Sequence, residues 1–129
     1  MKIAVFGPRG MLGRAVVGVA TAYGHEVFSD PAEILYKELL LNRGDFKPDV
    51  AINCAGVRPG GDAEKMVKSN ALGPHILAAL AKERRFRLLH VSTDCVFSDS
   101  GQRYELPPLF STSSKPCPSD LYGRSKLCG

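Results

Sequence analysis

The sequence has little that would tie it to a metal, a membrane or a disulfide scaffold. Its four cysteines, at 54, 95, 117 and 128, form no Cys-x-x-Cys pair and no cysteine–histidine ligand spacing. That pattern argues for reduced thiols and against a structural zinc. The three histidines, at 25, 75 and 90, are never four apart, so no helical pair is offered to a metal. No apolar run approaches the roughly 20 residues needed to span a bilayer. Met1-Lys-Ile-Ala-Val-Phe6 enters a strand pattern directly, without the charged, apolar and cleavage regions of a secretory leader. The expected location is the cytoplasm, with no membrane partner. Charge of one sign is scarce as well: 17 Lys+Arg against 13 Asp+Glu leave a formal charge of +4. Basic residues gather only at Lys82 to Arg87, where Arg84, Arg85 and Arg87 surround Phe86. This reads as a solvated helix end, where cations suit the macrodipole, and no nucleic-acid partner is expected. Internal repeats are absent.

What is present is an ordinary globular composition, 129 residues with 44% hydrophobic and 23% charged, enough for one domain with a real core. Ile3-Ala-Val-Phe6 is a short apolar run closed by glycines, which fits a strand buried on both faces. Apolar residues at 12, 15, 16, 19 and 20 predict a helix over 11–23, with Gly24 at the position that favours glycine after a helix. A second strand is predicted over 25–28, a helix over 31–43 starting at Pro31, and a third strand over 50–53. Asp62 is placed to cap a helix reaching about Glu83 and kinked at Gly73-Pro74. A fourth strand is predicted over 87–92. Residues 98–119, rich in Ser, Pro and Gly, make a long loop, and Ser119-Asp120 caps a last helix. Alternating strands and helices predict an α/β fold, a Rossmann-type doubly wound parallel sheet with helices on both faces. In such a sheet ligands sit beyond the carboxyl ends of the strands. The Gly7 loop, the turn from Asn53 to Gly56, Ser92-Thr93 and the loop before Tyr122 all follow strand ends.

Two stretches carry chemistry. Gly7, Gly10 and Gly13 stand between a strand and a helix, where glycines permit a tight turn, close approach of backbone to a pyrophosphate, and close helix packing. Asp30 ends the second strand, where an acid can bind adenosine ribose hydroxyls; Arg9 in the glycine loop could instead meet a 2′-phosphate. The cofactor expected is NADP(H) or NAD(H). At the other end, Tyr122 and Lys126 are four apart on a helix and share a face, which sets an ammonium where it stabilises a phenolate. Ser92 and Thr93 offer hydroxyls to a substrate carbonyl.

In this order the motifs resemble the extended short-chain dehydrogenase/reductase family, nearest its dTDP-4-dehydrorhamnose reductase branch, across all 129 residues. The likeness lies in Phe6-Gly-Pro-Arg-Gly-Met-Leu-Gly13, Lys47-Pro-Asp-Val-Ala-Ile-Asn53, His90-Val-Ser-Thr-Asp-Cys-Val-Phe97 and Leu121-Tyr-Gly-Arg-Ser-Lys-Leu-Cys-Gly129. The resemblance implies Thr93, Tyr122 and Lys126 as the catalytic trio. Cofactor contacts would come from Gly7, Arg9, Gly10, Met11, Leu12, Gly13, Asp30, Cys54, Ala55, Gly56, Tyr122 and Lys126, with no metal. Asn70 matches the family's helix asparagine and would support the site. The implied reaction is hydride transfer from the nicotinamide to a ketone on a nucleotide-activated sugar, with Tyr122 as proton donor.

Family members continue past the lysine into further strands and a C-terminal substrate domain, whereas this sequence ends three residues after it. The expectation is a cofactor-binding part, residues 1–129, truncated after the Tyr-x-x-x-Lys helix, with a homo-oligomer or partner enzyme possible. Cys95 stands where the family commonly has tyrosine, and Val57-Arg-Pro-Gly-Gly61 lacks the reductases' acidic stretch. The regulatory beta subunit of methionine adenosyltransferase looks similar over the same motifs. It stands as the alternative: a dinucleotide-binding protein without turnover.

Overall fold

After Lys2 the first strand is apolar throughout. In β1 (Lys2–Phe6), Ile3, Ala4, Val5 and Phe6 are all buried, which requires a layer on each face of the sheet. β1 is accordingly central. β2 (Glu26–Asp30) and β3 (Val50–Asn53) pair with it in parallel from either side, and β4 (Arg87–His90) pairs in parallel with β3, giving the order β2-β1-β3-β4. The computed structural model describes residues 1–30, 47–97 and 110–129. The helix expected over 31–43 and the 98–109 part of the expected loop lie outside the described residues.

Strand alternation sends successive residues to opposite layers. Ile3, Val5 and Val50 meet Val16, Val17 and Ala20 of α1 (Met11–Ala22) on one face. Ala4, Phe6 and Ala51 meet Leu77, Leu80 and Ala81 of α3 (Gly73–Arg84), together with Phe86, on the other. The sheet therefore carries helices on both faces, the Rossmann-type arrangement expected. Leu77 and Leu80 are completely enclosed, each contributing about 1.5–3 kcal/mol by burial. α1 ends as its glycine predicts: Gly24, at φ 73°, donates to the Thr21 carbonyl, and His25 N–H reaches the Ala20 carbonyl, closing the helix's last acceptors.

Three boundaries depart from the sequence reading. β2 begins and ends later, running to Asp30, because its register follows β1: Lys2 opposite Glu26, Phe6 opposite Asp30. β4 stops at His90, two residues short, and the Val91 carbonyl accepts from Lys126. The helix expected from Asp62 consists of α2 (Ala63–Val67), a π-helical turn (Lys68–Leu72) and α3, with Asp62 accepting from Lys65 N–H as its cap. The irregularity thus lies before Pro74 and not at it. Proline has no N–H for the Asn70 carbonyl, and the chain widens by one residue per turn to accommodate this: Gly73 N–H donates to Lys68 O.

Candidate active site

The glycine loop is built by close approach. A side chain at Gly7, whose φ is 74°, would put Cβ 2.7 Å from the backbone of Ala55, and one at Gly13 would put Cβ 2.1 Å from the Gly7 carbonyl oxygen. The turn after β1 is thereby pressed between the turn after β3 and the first turn of α1. Gly10 caps α1 without any side chain of its own, and no acid stands in the first turn. Amides that open a helix and have no side-chain partner favour an anion. Arg9, Met11 and Leu12 are exposed at this end. Asp30 ends β2 level with Phe6, the residue before the loop.

A cleft of about 160 Å³ opens beyond the ends of β3 and β4, lined by Cys54, Ala55, Gly56, Val57, Arg58, Val91, Ser92, Tyr122 and Lys126. Tyr122 and Lys126 come from α4 (Leu121–Leu127), which Asp120 starts by accepting from Gly123 N–H at 2.6 Å. Gly123 lets this helix lie against the 3-10 turn Asp94–Phe97, where an added Cβ would stand 2.4 Å from the Cys95 carbonyl oxygen. Lys126 is buried and donates to the Val91 carbonyl at 2.6 Å, with His90 Nε2 3.4 Å away. Burial holds the lysine pKa below its ordinary value. His90 is lowered too, first by burial and then by the neighbouring lysine charge, while burial raises the Cys54 thiol.

Two buried asparagines hold the cleft's walls. Asn53 Oδ1 accepts from Ala55 N–H at 3.0 Å, fixing the turn against which Gly7 packs. Asn70, in the π-helical turn, accepts from Val57 N–H at 2.8 Å, and its amide donates to the Val57 carbonyl at 2.9 Å and to Ser125 Oγ at 3.1 Å. Ser125 in turn donates to the Tyr122 carbonyl at 2.7 Å. A single side chain therefore ties the loop after β3 to the helix bearing Tyr122 and Lys126.

Of the residues singled out in the sequence, Cys54, Ala55, Gly56, Tyr122 and Lys126 line one cleft; Gly7 joins it through its contact with Ala55, and Gly13 packs in turn against Gly7. Thr93 is absent from that lining. Its hydroxyl donates to Asp94 Oδ1 at 3.1 Å and accepts from Cys95 N–H at 3.3 Å, and Ser92 lines the cleft. Sequence reasoning missed His90 and Ser125 as parts of the site. A signal for the first existed: Asn53 and His90 are the polar last residues of two adjacent strands, and they are register partners. Ser125 gave none, since a serine inside a helix is usually solvated. A second, apolar groove of about 380 Å³, lined by Ile3, Ala15, Val16, Val19, Ala20, Tyr23, His25 and Ile52, lies on the α1 side of the sheet. It shares no residue with the cleft.

The model of the family described as RmlD substrate binding domain matches residues 1–129. The chain is 32% identical over 137 residues to the dTDP-4-dehydrorhamnose reductase of Mycolicibacterium smegmatis, covering 99% of this chain and 40% of that protein. It is 35% identical over 86 residues to methionine adenosyltransferase 2 subunit beta of Danio rerio, covering 65% of this chain and 25% of that one. Among solved structures it superimposes on a dTDP-4-dehydrorhamnose reductase from Clostridium acetobutylicum with TM-score 0.78 and 28% identity, over 99% of this chain and 47% of that one. RMD from Pseudomonas aeruginosa complexed with NADPH gives TM-score 0.76 and 25% identity, over 98% and 46%. The chain spans less than half the length of each of these proteins. With the family matched along all of its residues and the strand-end cleft shaped by that family's motifs, the chain belongs to the RmlD substrate binding domain family.

Proposed function

We propose that residues 1–129 form the dinucleotide-binding domain of a reductase that acts on a keto group of a nucleotide-activated sugar. The observation that carries this reading is the convergence of the Gly7 loop and the Tyr122–Lys126 pair on the same turn, Cys54 to Gly56. The residues fit a dinucleotide. The opening amides of α1 lack a side-chain cap and face no acid in the first turn, a setting for a pyrophosphate. Arg9 beside them suits a 2′-phosphate, and the NADPH complex of the Pseudomonas aeruginosa relative supports NADP(H) beside NAD(H). When bound, the nicotinamide supplies the hydride for a ketone carbon.

The chain's own residues supply the acid. Tyr122 holds a phenolic proton at the wall of the cleft, available to a developing alkoxide. Lys126, pinned on the Val91 carbonyl, stands one helical turn away to stabilise the phenolate and to hold the cofactor ribose. Thr93, or Ser92 beside it, positions the carbonyl. The sugar-nucleotide site would be completed by chain outside these residues.

Titration of the chain with NADPH and NADH, followed by nicotinamide fluorescence with folding checked by circular dichroism, tests the cofactor reading. Saturable binding is expected. A folded chain that binds neither would overturn it and favour the second reading, a regulatory subunit without turnover, which the likeness to the Danio rerio beta subunit supports. Ketone reduction by a protein carrying this segment would exclude that second reading.

A further inference from the structure

Asn53, His90 and Lys126 form a line from the sheet to the cleft, and its bond directions can be read from one end. The Ala55 N–H can only donate, so the Asn53 atom it meets at 3.0 Å is the side-chain oxygen. The other atom is the amide nitrogen, which donates to His90 Nδ1 at 3.1 Å. A ring nitrogen that accepts carries no proton, so neutral His90 bears its hydrogen on Nε2. That nitrogen is 3.4 Å from Lys126 Nζ, which already donates to the Val91 carbonyl. An ammonium has three donors and no acceptor. It meets Nε2–H as donor against donor, whereas an uncharged amine accepts from it.

We infer that His90 is a positioning residue for Lys126, locked by Asn53 in the Nε2–H tautomer so that it offers the lysine nitrogen a donor and not an acceptor. The contact lowers the proton affinity of Lys126, as burial does, and the lysine charge in turn lowers that of His90 beside it. The other titratable or charged groups around the pair are Cys54 at the end of β3, Arg58 in the loop after it and Tyr122 on α4; no carboxylate is among the described residues lining the cleft. A phenolate formed at Tyr122 would offset that cost, because it attracts the ammonium that Nε2–H opposes. That consequence rests on the reductase reading; the tautomer does not.

The test is nitrogen-15 NMR of the histidine rings in the full 129-residue chain, without cofactor. His90 is expected to give the Nε2–H pattern, and its protonation midpoint is expected to rise in Lys126→Met, where the neighbouring cation is gone and the ring stays covered. An Nδ1–H pattern or an even tautomer mixture in the parent chain overturns the inference, and so does an unmoved midpoint in the variant. Should Lys126→Met fail to fold, the parent tautomer still decides. Asn53→Asp, an acceptor of nearly the same shape, is expected to switch the ring to Nδ1–H; an unswitched ring overturns the role given to Asn53. None of these signals involves a nucleotide, so they stand or fall separately from cofactor binding.

Discussion

At the scale of single residues the cleft depends on groups that act through one another. Tyr122 is its proposed acid. In an active reductase carrying this segment, Tyr122→Phe is expected to lower kcat by roughly 10²–10⁴-fold while cofactor affinity barely moves; unchanged turnover would remove Tyr122 from the mechanism. Asn70 is wholly buried and bonds both backbone groups of Val57. Asn70→Leu keeps the volume but leaves an N–H and a C=O without that partner, an expected loss of about 2–4 kcal/mol in a denaturant titration. His90 adds a pH dependence whose sign follows from its lowered pKa. As pH falls below the ordinary 6.5, the unfolded chain takes up the proton first, so stability falls until the folded ring also titrates. His90→Gln should flatten that part of the stability profile. Equal slopes in parent and variant would place the dependence elsewhere.

At the scale of elements, the ends of helices carry most of the information. α3 closes on Arg85, a non-glycine residue at φ 59°, with Phe86 N–H donating to the Ala81 carbonyl and the Phe86 ring buried in the core. The left-handed position costs a side-chain-bearing residue about 1 kcal/mol. Arg85→Gly is therefore expected to raise the denaturation midpoint by a comparable amount, and a lower midpoint would mean that the Arg85 side chain makes a compensating contact. At the other end of the fold, Gly13 cannot become alanine without moving the Gly7 carbonyl. α1 and β3 were legible from apolar spacing alone, as were the glycine after α1 and the Asp62 and Asp120 caps, because these are local preferences. The π-helical turn was not. The missing N–H of Pro74 announces a disturbance, but its position and form depend on how Asn70 is held by the loop after β3 and by Ser125.

At the scale of the whole molecule, the described sheet has β2 and β4 at its edges. β4 keeps Leu89 56% exposed, beside Ile52 in register and on the side of the sheet that α1 covers nearer to β1. An exposed strand edge with an apolar outward residue invites pairing with another chain. Leu89→Lys should reduce concentration-dependent self-association, read by sedimentation, with little loss of stability; association unchanged by the substitution would place any contact elsewhere. Among the described residues no helix is long and apolar enough to cross a membrane. The relatives are more than twice as long as this chain.

The sequence by itself determined the parallel α/β fold, the turn of glycines after β1 and the shared helical face of Tyr122 and Lys126. Each of these rests on interactions within a few residues or on a periodicity of two or 3.6. Only the tertiary structure decided that Ser92 lines the cleft while the Thr93 hydroxyl bonds Asp94 and Cys95, that Asn70 joins a loop to a helix 55 residues away through Ser125, and that Asn53 orients His90 against Lys126. Those contacts join groups from separate elements. Their partners are set by strand register and helix packing, which no local pattern in the chain records.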